Sequence, residues 1–302
     1  MSDLRLATRR SPLALRQADF VRAKLEATGV ACELVHVETS GDRRAHEPLS
    51  SMGGQGVFVI EVQRALLRGE ADVAVHSAKD LPGLTPPGLA IVCVPERRDP
   101  ADVLVGRALA GLGPGASVAT GSPRRRALLL ERRPDLRIVE LRGNMATRLA
   151  QAGRDGVDAV VAAGAALERL GQESLIAERL DPTWFVPQVG QGTLALEARR
   201  DDPATHARLT PINEADALVA LECERAFLRE LGAGCSIPAG AHATYRDGVC
   251  ELRGVMVGAD GVHSVRASMS GTDASSVGRD LAMLLRDELG GGALTGWVVA
   301  VP

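Results

Sequence analysis

The sequence predicts an α/β fold: two similar α/β domains facing each other across a cleft, plus a small α+β C-terminal domain. Three observations predict it. LATRRSPLALRQ (residues 6–17) aligns with VATGSPRRRALL (118–129), allowing one gap, and both read as strand, Ser-Pro turn and helix. ADVAVHSA (71–78) is matched in the same order by VDAVVAAGA (157–165), each a buried strand following an acidic residue. From about Glu214 the pattern changes to a helix with an apolar stripe and then to alternating strands with Asp-Gly turns.

A chain of 302 residues with 45% hydrophobic content can bury a substantial core. A net charge of −3 makes any basic stretch local, and 2% aromatics leave almost no platform for stacking bases, so nucleic acid is not an expected partner. Lys24 and Lys79 are the only lysines among 35 basic residues. With abundant Ala and Gly, that ratio suggests the codon bias of a GC-rich genome, so arginine count alone says little and a lysine at 79 stands out. The cysteines, at 32, 93, 223, 235 and 250, are odd in number, widely spaced and without a C-x-x-C, which indicates neither a disulfide framework nor a zinc site. The N-terminus lacks a signal-peptide apolar region, and no apolar run approaches about 18 residues. A cytoplasmic protein free of membrane and metal is expected.

In chain order, Leu4–Thr8 reads as a strand, Arg9–Pro12 as a turn, and a helix follows to about Thr28. Glu33–Thr39 is a second strand. Residues 40–57 form a long polar, Gly-rich loop of the kind that serves as a lid. Phe58–Arg68 is helical, Ala71–His76 is a buried strand, and Ser77–Leu81 lies at its carboxyl end. Parallel sheets bind ligands at that edge, so Arg9, Ser11, Lys79 and Asp80 are expected on one wall of the cleft. The chain should cross between domains at Pro95–Pro100 and again at Pro187–Gly192, before LALEARR returns to the first domain. The expected domains are 1–95 with 192–212, then 99–187, then 214–302. In the last, EADALVALECERAFLREL is a helix with Ala217, Leu218, Leu221, Ala226 and Leu228 as its stripe, and a closing helix spans roughly Ser275–Leu289.

The second wall is carried by residues 117–148. Ser117–Thr120 is β-prone, Ser122 is the natural N-cap before Pro123, and a helix starts at Arg124. Leu136–Leu141, the Gly143-Asn144 turn and Met145–Ala150 repeat the pattern. Two strand-to-helix turns bring free N–H groups to one sheet edge, beside Arg124, Arg125, Arg126, Arg142 and Arg148. A helix terminus contributes only about 0.3–1 kcal/mol to an anion, whereas a charge-assisted arginine–carboxylate bond adds roughly 1.5–3 kcal/mol. The arginines should dominate an anion site here, although consecutive helical residues point in different directions and Arg124–Arg126 cannot all serve one ligand.

Two further residues could do chemistry. Asp80, next to Lys79 at a strand end, reads either as a surface pair or helix cap, or as an ionised acid facing arginines that could stabilise a cation or move a proton. Cys235 sits in GAGCSIPAG (232–240) with little steric cover, unlike the four cysteines in apolar or helical runs, so it is a candidate nucleophile or attachment point or else an inert loop thiol. Gly53–Gly56 and Gly111–Gly115 are not phosphate loops, because neither joins a strand to a helix.

These segments together resemble the porphobilinogen deaminase (hydroxymethylbilane synthase) family. The matching stretches are ATRRSPLAL (7–15), GGQGVF (53–58), ADVAVHSAKDLP (71–82), GSPRRRALLLERRPDL (121–136), LRGNMATRL (141–149), VGQGTLALE (189–197) and GAGCSIPAG (232–240), in the family's order over nearly the whole chain. The resemblance implies two periplasmic-binding-protein-like domains and a third carrying a covalent dipyrromethane cofactor, held by Cys235 through a thioether. It implies head-to-tail joining of four porphobilinogen molecules, each losing ammonia, and hydrolytic release of hydroxymethylbilane. Asp80 matches the family's catalytic aspartate. Lys79, Ser122, Arg124, Arg125 and Arg148 match cofactor-binding positions, and Arg9, Ser11, Arg142 and Arg169 match positions for incoming substrate or growing chain. The family suggests a monomer.

The residues fit that chemistry on their own terms. Pyrroles bearing acetate and propionate bring many carboxylates into one cleft, and such groups are costly to bury unpaired. Lengthening the product there also requires hinge movement and a lid, for which the two crossings and residues 40–57 are the candidates. Two departures stand out: Gln55 where many relatives carry lysine, and Gly121 where serine is common, leaving Ser122 to cap alone. The rival reading is a two-domain anion-binding or sensor protein without catalysis, which would need neither Asp80 beside Lys79 nor an exposed Cys235. A cysteine-nucleophile transferase would need a histidine base, and His242 is merely the nearest in sequence.

Overall fold

The computed structural model describes residues 3–38, 59–141, 145–232 and 238–297. Residues 40–57, Arg142, Gly143-Asn144 and Cys235 lie outside that range. Among the described residues no helix is long and apolar enough to cross a membrane.

Each half of the chain opens in the same way. Strand β1 (Leu4–Arg9) runs to Ser11, whose hydroxyl accepts from Ala14 N at 3.3 Å, with Pro12 starting helix α1 (Pro12–Glu26). Then come β2 (Cys32–Val37), α2 (Ile60–Leu67), β3 (Val73–Ser77), a single 3-10 turn (Ala78–Asp80) and β4 (Leu89–Cys93). The second unit holds β5 (Asp102–Val105), β6 (Ser117–Ala119), α3 (Pro123–Arg132), β7 (Arg137–Val139), α4 (Met145–Leu149), β8 (Ala159–Ala163), α5 (Gly164–Arg169) and β9 (Ile176–Arg179). Here Ser122 caps α3, accepting from Arg125 N at 3.4 Å with Pro123 behind it, as the repeat predicts. The chain then returns through β10 (Leu194–Arg199) and α6 (Pro203–Leu209).

The two sheets share one plan. The first has the order β2-β1-β3-β10-β4 and the second β7-β6-β8-β5-β9. In each, the first three strands are parallel and the fourth runs antiparallel to both neighbours. That antiparallel strand is the one that follows a crossing: β5 enters the second sheet, and β10 re-enters the first. The expected crossings therefore exist, and they pair with each other. Arg98 N donates to Gly192 O at 3.1 Å and Leu194 N to Glu96 O at 3.0 Å, making a short antiparallel ribbon between the units. Buried Leu6, Val21, Leu25, Val73 and Leu196 fill the first core, and Leu104, Val118, Leu128, Val161 and Phe185 the second.

Close backbone approach explains two glycines of the returning crossing. Gly192 has φ +84°, and a Cβ there would lie 2.5 Å from Arg98 O on the other crossing. At Gly190, φ is +73° and a Cβ would meet Ala78 C at 2.8 Å and Lys79 N at 2.9 Å. Gly190→Ala is expected to destabilise the fold by about 1–3 kcal/mol from backbone strain alone, read as a lower thermal midpoint. An unchanged midpoint would mean the crossing does not press on the Lys79 turn.

The third unit is a meander, β11 (Ala239–Arg246), β12 (Val249–Val257) and β13 (Ser264–Gly271), backed by α7 (Ala215–Glu230) and α8 (Ala274–Met283). Asp247 and Gly248 both have positive φ, 51° and 79°, the two-residue hairpin turn that Asp-Gly favours. The closing helix starts at Ala274 and gives way to a π-helical turn, Leu284–Glu288. Helix α7 departs from a single apolar stripe. Cys223, Glu224, Arg225, Ala226 and Phe227 are all buried, because this helix is wedged where the three units meet.

Candidate functional site

The carboxyl end of β3 sets one wall. Its last residue, Ser77, accepts from Gln17 Nε2 at 2.8 Å, which ties α1 to the turn carrying Lys79 and Asp80. The returning crossing fixes the same turn from behind: Ala78 N donates to Thr193 O at 3.0 Å, and Gln188 Nε2 donates to Lys79 O at 3.1 Å. Arg9, Ser11, Gln17, His76, Ser77 and Asp80 line one cavity at this edge. The carboxyl ends of β1 and β3 thus bring Arg9, Ser11 and Asp80 to one cavity, whereas Lys79, expected beside them, is not among its lining residues. Buried His76, by contrast, turns its Nε2 to Glu197 Oε2 at 3.2 Å, and Gln63 holds Glu197 Oε1 at 3.0 Å.

Helix α3 sets the opposite wall. Arg124 is buried, with Nη1 donating to Val186 O at 2.7 Å, Nη2 to Asp102 Oδ2 at 2.6 Å, and its guanidinium 5.6 Å from the Phe185 ring centre. Arg125 donates through Nε to Asp102 Oδ1 at 2.9 Å and through Nη1 to Val161 O at 3.1 Å. Arg126 points outward and is exposed. The three consecutive arginines do diverge, and two converge on one acid.

Electrostatics joins the walls. Burial first, and then Arg125, pushes the Lys79 ammonium down to about 8, with Asp80 and Asp102 opposing the fall. Burial likewise lowers Arg148, assisted by Arg125 and opposed by Asp80. Lys79 and Asp80 of the first unit therefore lie within the fields of Arg124, Arg125 and Arg148 of the second. Burial works to raise Asp102, but Arg124, Arg125 and the Gln191 amide outweigh it and hold the carboxyl at about 2.

Arg169 sits apart from this group. Its Nε and Nη2 reach Glu96 Oε2 at 3.0 and 2.9 Å, and Nη2 also reaches Gly192 O at 2.8 Å, so it clasps both crossings. Sequence reasoning missed Asp102 and Gln191. The signal for the first is an acid at the head of a buried run, ADVLV; the second stands in PQVGQG, whose proline and glycines mark a crossing and carry no chemical signature.

Comparison with known proteins bears on this geometry. A family model described as "Porphobilinogen deaminase, dipyromethane cofactor binding domain" matches residues 4–207, and "Porphobilinogen deaminase, C-terminal domain" matches 218–287. The porphobilinogen deaminase of Syntrophotalea carbinolica is 43% identical over 291 residues, spanning 94% of this chain and 92% of that protein. That of Acidothermus cellulolyticus is 46% identical over 291 residues, spanning 93% and 88%. A solved structure, the methionine binding protein MetQ, aligns over 69% of this chain and 89% of its own at 14% identity, with a TM-score of 0.43.

Proposed function

Because the chain belongs to the porphobilinogen deaminase family, we propose that Asp80 is its catalytic acid–base group, working between walls built by Lys79, Arg125 and Arg148. The family's reaction condenses four porphobilinogen molecules head to tail with loss of ammonia, and releases hydroxymethylbilane by hydrolysis. The covalent dipyrromethane cofactor supplies the pyrrole carbon onto which the first substrate ring is joined. That the matched relatives are named as this enzyme favours catalysis over the anion-binding alternative.

The observation that carries the reading is the charge of the site. Among the described residues, Lys79, Arg124, Arg125 and Arg148 face Asp80 and Asp102 within one field, a surplus of cations. That surplus suits ligands bearing carboxylates, and the Lys79 ammonium, depressed by burial first and then by Arg125, lies within it. Lys79, Ser122, Arg125 and Arg148 would hold cofactor carboxylates, with Arg124 supplying charge from behind. Arg9 and Ser11 would receive substrate at the cavity beside Asp80. Arg142 belongs with them by its match to the family. Arg169 would act on substrate or growing chain from its clasp on the crossings. The Asp80 carboxyl group, in its acid form, would give its proton to the departing amine, and the carboxylate so formed would steady the cationic ring left behind.

Cys235 would carry the cofactor by a thioether on the third domain. The domains would be 1–95 with 192–212, 99–187 and 214–302, in a cytoplasmic monomer with no nucleic-acid or membrane partner. Intact mass tests the assignment. The purified protein should exceed its chain mass by two linked pyrrole units, and Cys235→Ala should lack the excess. A bare-chain mass that stays unchanged after incubation with porphobilinogen would reject the attachment.

A further inference from the structure

Asp102 stands at the head of β5, is fully buried, and is bound on three sides. Its Oδ2 accepts from Arg124 Nη2 at 2.6 Å. Its Oδ1 accepts from Arg125 Nε at 2.9 Å, has Arg125 Nη2 at 2.7 Å, and accepts from Gln191 Nε2 at 3.0 Å. Gln191 is itself buried in the returning crossing, donates also to Pro100 O at 2.6 Å, and accepts from Lys79 Nζ at 3.5 Å. A continuous polar chain thus runs from Lys79, on one wall, through an amide and a carboxylate to the arginine pair on the other. Each link belongs to a different segment: the β3 turn, the returning crossing, the first residue of β5, and helix α3.

Two physical facts give this chain a purpose. Neighbouring helical residues diverge, and long arginine side chains give up much rotamer freedom when held in one orientation. Left to themselves, Arg124 and Arg125 would repel one another and sample many positions. One carboxylate accepting from both guanidiniums gathers them and gives them a single orientation before any ligand arrives, which is preorganisation in the sense that matters for affinity and rate. The same carboxylate offsets part of the positive charge around Lys79.

We propose that Asp102, linked through Gln191 to Lys79, is a positioning residue for the condensation: it aims Arg125 and Lys79 at the place where ligand carboxylates are received beside Asp80. The inference rests on the site reading above. Asp102 meets no ligand. It acts through the two arginines, and through Gln191 it makes the spacing of the two walls depend on the crossing that joins them.

The test is Asp102→Asn, nearly the same in shape, purified alongside the parent and examined by intact mass and by steady-state kinetics with porphobilinogen. The expected result is a folded protein with kcat/KM lowered at least tenfold, a raised KM, and a mass distribution moved from the two-ring form toward bare chain and stalled partial products. A variant that melts earlier but keeps the parent's KM, kcat and mass distribution would show a structural role only and overturn the proposal, as would parental behaviour throughout. If Asp102→Asn does not fold, Gln191→Met decides: it leaves both arginine–aspartate pairs in place and removes the amide that joins Asp102 to Lys79, together with its bond to Pro100 O. A threefold or larger rise in KM, with the thermal midpoint kept, supports the link; parental kinetics overturn it. A parent protein that neither carries the two-ring mass nor consumes porphobilinogen would instead sink the underlying site reading.

Discussion

Asp80→Asn is expected to fold like the parent and to lose turnover by about 10²–10⁴-fold, the range a positioned acid–base group contributes. The fold should survive because, among the described residues, the hydrogen bonds that secure this turn go to its backbone and to Ser77 and not to the carboxylate. Gln17 on Ser77, Thr193 on Ala78 and Gln188 on the Lys79 carbonyl hold the backbone, and asparagine has nearly the same volume. What disappears is the negative charge facing Lys79 and Arg148 and the proton it would carry. Turnover and a thermal melt, measured together, separate these effects: near-normal turnover would remove Asp80 from the mechanism, and a collapsed melt would mean its charge is needed for the cleft to form.

Much of this architecture was legible because it is local. A serine followed by proline after a β-prone run is a helix start wherever it occurs, so Ser11 and Ser122 could be named as caps from sequence, and their recurrence disclosed the duplicated unit. The Asp247-Gly248 hairpin is local in the same way. Asp102 was not legible. Its neighbours Val103, Leu104 and Val105 announce a buried strand, but only the sheet order brings the head of that strand to the arginines of α3. Glu96 and Arg169 are likewise 73 positions apart, and nothing near either predicts that they meet. The stripe of α7 follows from periodicity, which describes a helix with one buried face. It could not anticipate Glu224 and Arg225, which are buried because another unit covers the polar side.

That buried polar side yields the second large effect. Glu224 is the one carboxylate among the described residues that receives both crossings and the third sheet. Oε1 accepts from Arg97 Nη2 at 2.5 Å and from Ala243 N at 2.8 Å, and Oε2 accepts from Gly190 N at 2.6 Å. His242 Nδ1 lies 3.3 Å from Oε1. Glu224→Ala would strand the Arg97 guanidinium and two buried amides, at a cost of about 3–5 kcal/mol, a fall in Tm on the order of 10 °C for a chain of this size. The acid limb gives an independent check. Burial alone would raise this carboxyl, but Arg97, His242 and the Ala243 amide together hold it at about 2, against an ordinary 4.5. Its folded value is therefore depressed, so its contribution is complete above pH 4.5 and is lost as pH falls toward 2. Melts of the parent should weaken across that window more steeply than those of Glu224→Gln, although Asp102, held at about 2 from 3.8, leaves the variant some acid sensitivity. Equal melts and parallel acid limbs would show that the junction does not depend on this charge. A lowered melt would also bear on catalysis, because Gly190 is both the group that Glu224 anchors and the residue pressed against Ala78 and Lys79. A carboxylate in the third unit then helps to place the lysine of the first, and loosening it should raise KM for porphobilinogen even at temperatures where the fold is intact.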